Sequence, residues 1–345
     1  MNKQQLPLVS ICIPTYNSSS TIKQTLNSII NQSYKNLEII ICDNASEDKT
    51  LDIIKTIKDP RIIVYENKTN IGGEGNFSLC IKYATGQYTA IFHADDVYKT
   101  KMVEKQIALF ESNNSLGAVF TESITINENG DFTGRRKTPK NLDKKNNIIT
   151  LNFDALFKQT LLNHNFLTCP SAMLRSTIYK KEIVRYRSDL FKSSSDLDVW
   201  FRVAKKYTIA IICEPLMQYR ISPNQYTSGI VRKRIKQADF FLVIDHYLND
   251  NKVKKILLNE DYRHIGWLKR SDRVIRAMNF YIIGDRNETR NLINGIFTWD
   301  AIVSAITTKK GVMTLFLGVF IKVSLLLYID KISRIILLKG RTMMN

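Results

Sequence analysis

The sequence predicts an α/β fold in which a mostly parallel, twisted sheet flanked by helices is followed by a helical C-terminal region. Over the first 120 residues, continuous apolar runs of strand length alternate with segments whose apolar residues recur at helical spacing. Four of these strands end in polar clusters, which gathers the clusters beyond the carboxyl edge of one sheet, where ligands bind in such folds. From about residue 229 onward only helix-like segments remain.

Taken in order, "PLVSICIPTYN" reads as a buried strand ending at Pro14. "SSSTIKQTLNSIINQ" follows as a helix, with three serines able to cap it and Ile22, Leu26, Ile29 and Ile30 on one face. "NLEIIICDNAS" is a second strand, "KTLDIIKTI" a helix and "RIIVYEN" a third strand. Then come a glycine-bearing turn, "NIGGEGN", the helix "FSLCIKYATG", the strand "QYTAIF", the helix "KMVEKQIALFES" and the strand "GAVFT". The stretch "DFTGRRKTPKNLDKKNN" is basic and poor in apolar residues, so it reads as an exposed excursion. "TLNFDALFKQTLL" is helical, "FLTCPSAMLRSTIY" a strand and turn, "SSSDLDVWFRVAKKY" a helix with acids in its first turns, and "TIAIICEPLMQYRIS" a last strand.

The chain of 345 residues is 44% hydrophobic and 24% charged, a globular composition with no repeat or low-complexity tract. Five scattered cysteines, without C-x-x-C spacing, and a polar N-terminal start point to a reducing, cytoplasmic compartment. Residues 230–345 hold 21 Lys and Arg against 10 Asp and Glu, a surplus that suits an anionic membrane surface. No basic stripe interleaved with aromatics and no recognition helix speaks for nucleic acid.

Several residues carry more than one reading. Asp95 and Asp96 suit a hard divalent cation, Mg²⁺ or Mn²⁺, or else cap the helix that follows. Asp43 and Asn44 form a turn with Ser46 capping the next helix, or Asp43 accepts hydrogen bonds from a base or ribose. Asp196 and Asp198, two apart near a helix start, point in different directions. One can face a cleft as a general base while the other caps the helix or pairs with Arg202.

In sequence order, "PTYN", "DNASEDKT", "NIGGEGN", "HADD" and "SSSDLDVWFRVA" resemble the family 2 inverting glycosyltransferases of GT-A fold that build bacterial cell-surface polysaccharide, across about residues 6–225. The resemblance implies that Pro14, Thr15, Tyr16, Asn17, Asp43 and Asn44 hold the nucleoside of a nucleotide-diphosphate sugar, with a UDP-sugar favoured. It sets the turn from Asn70 through Gly72 to Asn76 near the ribose and diphosphate. The family's D-x-D element falls on His93-Ala94-Asp95, which leaves Asp95 for the metal and His93, Ala94 and Asp96 on the donor side. Here histidine replaces the first acid. The catalytic base implied is Asp196, preceded by Ser195 where the family has Glu. The acceptor implied is a hydroxyl of a glycan or a lipid-linked glycan, reached at the inner face of the cell membrane.

The organisation expected is a GT-A domain over residues 1–228, with a sugar-nucleotide half at 6–120 and an acceptor half at 121–228. A basic helical region at 229–345 contains an apolar helix at 312–329. That helix is at the short edge for crossing a bilayer and carries Lys322 near its middle, so it reads as lying on a membrane or packing on the domain. Two alternatives compete with transfer: a sugar-phosphate nucleotidylyltransferase, and a non-catalytic homologue that binds the sugar nucleotide. The first would carry a Gly-rich basic loop after the first strand, which "PTYNSSS" lacks.

Overall fold

In the computed structural model, which describes residues 6–222 and 234–343, the chain forms two units, Met1–Ser222 and Pro223–Asn345. The expected boundary near residue 228, and most of the segment "YRISPNQYTS", lie outside the described residues.

The first unit is built on a ten-stranded sheet. Its strands are β1 (Val9–Thr15), β2 (Leu37–Asp43), β3 (Ile62–Glu66), β4 (Tyr88–Ile91), β5 (Val97–Tyr98), β6 (Leu116–Ile126), β7 (Phe132–Arg136), β8 (Ile148–Leu151), β9 (Met173–Arg175) and β10 (Thr208–Arg220). They run in the order β3-β2-β1-β4-β9-β6-β10-β5, with β7 added to β6 and β8 to β10. β1–β4 are parallel to one another and β6 is parallel to β10, whereas β9 is antiparallel to both of its neighbours. Helices α1 (Ile22–Ile30), α2 (Thr50–Thr56), α3 (Gly72–Tyr83), α4 (Met102–Ser112), α5 (Phe153–Asn163) and α6 (Ser195–Ala204) flank the sheet. Continuous apolar strands are buried on both faces, as parallel sheets require: Val9, Ile11, Ile13, Ile39, Ile41, Ala90 and Phe92 join one core with Ile22, Leu26 and Ile107 from the helices.

Four local expectations change. None of the three serines before α1 is its cap. The cap residue is Thr21, and its hydroxyl instead donates to Ala94 O at 3.0 Å, joined there by Thr25 at 2.9 Å. The "NIGGEGN" turn is largely helical, because α3 starts at Gly72, whose φ of 78° turns the chain where a side chain would be strained. The basic stretch after residue 130 is not wholly an excursion. Residues 132–136 pair with β6, and Thr138 is buried, its amide and hydroxyl both donating to Glu122. Asp95 and Asp96 do not cap α4, whose cap residue is Lys101.

An asparagine network holds the carboxyl ends of β2 and β3 against α3. Asn44 donates to Asn70 Oδ1 (2.8 Å) and accepts from Asn67 (3.1 Å) and from the Ile71 amide (2.9 Å). Asn76 donates to Cys42 O at 2.8 Å and accepts from Asn67. Asn44 and Asn76 are both buried, so their polar atoms depend on these partners.

In the second unit, α7 (Phe240–Leu248), α8 (Asn251–Ile256), α9 (Asn259–Ile283), α10 (Arg286–Ile293), α11 (Trp299–Ile306), α12 (Lys309–Leu327) and α13 (Asp330–Met343) follow one another. Its core joins Val274, Ala277 and Tyr281 of α9 to Ile293, Ile321, Leu325 and Leu337. Asp272, nearly buried on α9, pairs with Arg234 at 2.7 Å and Arg276 at 2.9 Å. The apolar helix is α12, ended by Tyr328 in the left-handed conformation.

Replacing Asn44 by Ala strands the Ile71 amide and part of the network. The expected cost is about 1–3 kcal/mol of unfolding free energy, read from urea melts; an unchanged midpoint and slope would show that the network bears no load.

Candidate active site

The parallel strands β1–β4 deliver their carboxyl ends to one edge, and "HADD" leaves β4 there. Arg220, the last residue of β10, holds this loop. Its Nε donates to Asp95 O at 2.8 Å and its backbone amide to Asp96 Oδ1 at 2.8 Å. Its remaining nitrogens reach Gln24 Oε1, Asn127 O and Glu128 O, which locks the guanidinium in place although only 4% of the residue is exposed.

One ligand atom from each of His93, Asp95 and Asp96 lies within 4.8 Å of the others. Asp96 is fully buried and its Oδ2 has no hydrogen-bond partner. Burial pushes its carboxyl well above the ordinary range, helped by neighbouring Asp95 and opposed by the Arg220 amide and the charges of Arg220 and Arg136. Burial also lowers the His93 imidazole pKa, against the pull of Asp95, and its Nε2 has no hydrogen-bond partner. The Phe77 ring meets it edge-on at 5.9 Å, and the Tyr98 hydroxyl accepts from its amide at 2.7 Å. Two buried, unsatisfied ligand atoms aimed at a common region fit a divalent cation and would otherwise be costly to keep. His93, expected on the donor side, thus lies beside the two acids as well.

The other predicted residues line the same edge in different states. Thr15 is buried, its hydroxyl donating to Ile13 O, while Tyr16 beside it is 44% exposed. Asn17, in the left-handed region (φ 45°), accepts from the Glu47 amide at 2.9 Å. Asp43 is fully buried and takes both the Ser46 amide (2.9 Å) and the Ser46 hydroxyl (2.6 Å). Ser46 therefore does not cap α2, whose cap residue is Lys49; its hydroxyl also accepts from the Asn17 amide, fastening the β1 and β2 loops together. Pro14 is partly buried and Ala94 almost wholly so, its carbonyl held by Thr21 and Thr25. The side chains of Asn44, Asn70 and Asn76 are engaged in the asparagine network, and Gly72 offers backbone alone.

At the start of α6 the two acids divide as their spacing predicts. Asp198 is buried and ion-paired with Arg202 at 3.0 Å and, through both of its oxygens, with Arg187. Asp196 is partly buried, accepting from Asn165 Nδ2 at 2.9 Å and from the Leu197 amide at 2.8 Å. The protein packed around it raises its pKa, opposed by those two hydrogen bonds and by Arg136. The thiol of partly buried Cys169 is raised first by desolvation and then by both Asp196 and Asp96, so the two carboxylates belong to one electrostatic neighbourhood. Arg136 stands in it as well, its guanidinium 5.1 Å from the centre of the Tyr219 ring.

Residues 10–182 match the family described as Glycosyl transferase family 2. The chain belongs to that family. An uncharacterised glycosyltransferase of Methanocaldococcus jannaschii is 35% identical over 263 residues, spanning 74% of this chain and 83% of the relative. An Escherichia coli UDP-Glc:α-D-GlcNAc-diphosphoundecaprenol β-1,3-glucosyltransferase, WfgD, is 28% identical over 67% of this chain and 84% of its own. A crystal structure of Staphylococcus aureus TarS with UDP superposes with a TM-score of 0.53 at 17% identity, over 89% of this chain and 80% of that one. Family membership makes the protein a glycosyltransferase and sets the nucleotidylyltransferase reading aside.

Arg220, Arg136 and Asn165 were not singled out from the sequence. Arg220 holds a loop more than 120 residues earlier, and Arg136 sits in a run whose composition reads as solvent-facing. Arg220→Lys keeps the charge but not the fork of donors. It is expected to lower divalent-cation affinity, probed with Mn²⁺ in a calorimetric titration, by about tenfold or more, as loss of the hydrogen bonds that hold ligands in place does elsewhere; wild-type affinity would show that Arg220 does not set the loop.

Proposed function

We propose that this glycosyltransferase moves a sugar from a nucleotide-diphosphate donor, with a UDP-sugar favoured, to a hydroxyl of a glycan or lipid-linked glycan in cell-surface polysaccharide synthesis. The observation that carries the reading is the pairing, in one neighbourhood, of the His93–Asp95–Asp96 cluster with Asp196, a carboxylate of raised pKa. Support for the donor class comes from the printed activity of WfgD and from UDP in the TarS structure.

In this reading Pro14–Asn17 and Asp43 receive the nucleoside. Asp43 keeps lone pairs beyond those that Ser46 uses, and Tyr16 has an exposed ring for a base to stack on. Asp95 and Asp96 hold a divalent cation with His93 Nε2 available as a third ligand; a nitrogen donor favours Mn²⁺ over Mg²⁺. Such a cation supplies positive charge to the leaving diphosphate. Arg136 adds a fixed positive charge on the same side of the sheet edge.

Asp196 takes the proton of the acceptor hydroxyl as that oxygen attacks the anomeric carbon from the face opposite the diphosphate. The new glycosidic C–O bond forms as the C–O bond to phosphate breaks, the nucleoside diphosphate leaves with the bonding pair, and the configuration inverts. Asn165 and the Leu197 amide hold the carboxylate in place for this step.

Asp196→Asn is expected to abolish transfer, by about 10²-fold or more, while leaving UDP-sugar affinity within about twofold by calorimetry; substantial residual transfer would remove Asp196 as the base. Because the base must be ionised and burial raises its pKa, activity should fall as pH drops through a value above the ordinary aspartate range of about 3.9. A kcat/KM profile whose acid limb lies at or below that range would contradict the assignment.

A further inference from the structure

The second unit contains a helix that is inside out for a water-soluble protein. On α12, Met313, Phe316, Val319, Val323 and Leu326 recur every three or four residues and face outward, with Phe316 70% and Leu326 67% exposed. The opposite face buries Thr314 and Ser324 beside Ile321 and Leu325. A surface helix in water shows the reverse order. α13 repeats the inversion: Ser333 is buried, with its hydroxyl 2.8 Å from that of Ser324, while Ile332, Ile335 and Ile336 point out. α11 adds Trp299, 78% exposed, and Ile306. Outward apolar surface on three successive helices exceeds the scattered exposure of a monomer.

We propose that this face docks flat on an anionic lipid surface. Charge selects that occupant. Residues 230–345 carry 21 basic against 10 acidic side chains, and Lys310, Lys322 and Lys331 are exposed along α12 and at the head of α13. A second copy would bring the same positive charge against this one, whereas a phosphatidylglycerol surface offers the opposite sign. Packing decides between lying in the interface and crossing the bilayer. Ile321 and Leu325 of α12 share a core with Val274, Ala277 and Tyr281 of α9, and α9 also carries Arg270, Asp272, Arg273 and Arg276. A spanning α12 would leave that core or draw those charges into the hydrocarbon, where ionised side chains are costly. Docked in plane, the outer stripe enters the acyl boundary, Trp299 sits at headgroup level and the lysines extend to phosphates. The proposal rests on this unit's own surface and stands or falls apart from the assignment of Asp196.

The test is co-sedimentation of the full chain with vesicles of phosphatidylcholine, alone or with one third phosphatidylglycerol. Binding is expected only with phosphatidylglycerol and is expected to weaken as salt is raised. Phe316→Glu with Leu326→Glu should weaken it at least about tenfold, since each buried side chain is worth about 1.5–3 kcal/mol, with the melting temperature and UDP-sugar affinity retained. Ile335→Glu provides an independent variant on α13 and should weaken binding in the same direction. Carbonate should release the bound protein. Failure of the wild type to bind, equal binding by the glutamate variants, retention after carbonate, or a dimer in light scattering that the Phe316→Glu change dissolves while vesicle binding persists would each overturn the proposal.

Discussion

Everything at the sheet edge depends on one buried cation. Arg220 closes β10 and grips the Asp95 carbonyl, the Asp96 carboxylate and two carbonyls beyond β6. Its guanidinium donates to backbone oxygens and to Gln24 Oε1, while its backbone amide meets one Asp96 oxygen. The second Asp96 oxygen and the His93 ring nitrogen are left unpartnered. The loop is thus fixed largely through its backbone, and rigidity of this kind is what a metal or phosphate site requires.

Histidine at position 93 belongs to the same balance. An acid there would put three carboxylates in a space where Asp96 is already resisting ionisation. An imidazole, its pKa lowered by burial, removes one negative charge while retaining a ligand atom, and the Phe77 edge and the Tyr98 hydroxyl fix the ring and its backbone. Position 93 therefore departs from the family's acid without emptying the cluster. Across the edge, Asp196 and Asp198 show the opposite use of environment. Two arginines hold Asp198 as structure, whereas enclosure raises the pKa of Asp196 against the opposing hydrogen bonds from Leu197 and Asn165.

How much of this was legible follows from the range of the interactions. Periodicity and continuous apolar runs specify β1–β4 and their helices because these signals are local, and parallel order then carries the polar clusters to one edge. The split between Asp196 and Asp198 was readable because a two-residue offset turns side chains apart on a helix. β5, two residues long, offered no period to detect, and β7 was hidden by a composition that resembles a solvated loop. Arg220, Arg136 and Asn165 act on groups some 30 to 125 residues away, where spacing says nothing. Ser46 and the serines before α1 look like helix caps for a related reason. The cap positions fall instead to Lys49 and Thr21, and the Ser46 and Thr21 hydroxyls hold neighbouring loops.

Both units bury an apolar core, but they differ in what they leave on the surface. In the first, apolar residues fill the sheet faces, and polar groups that fall inside, such as Asn44 and Asn76, are tied into a network. In the second, α12 and α13 face their shared contact with serines and send phenylalanine, isoleucine and leucine outward. No water-facing domain gains stability that way, because each outward apolar side chain forfeits the transfer free energy that burial would return. The arrangement becomes favourable only when the outside is itself apolar, and the lysines near that surface specify what lies just beyond it. A unit with a polar edge and a second unit with an apolar face and a cationic border would suit the proposed reaction, in which the donor is dissolved and the acceptor is lipid-linked.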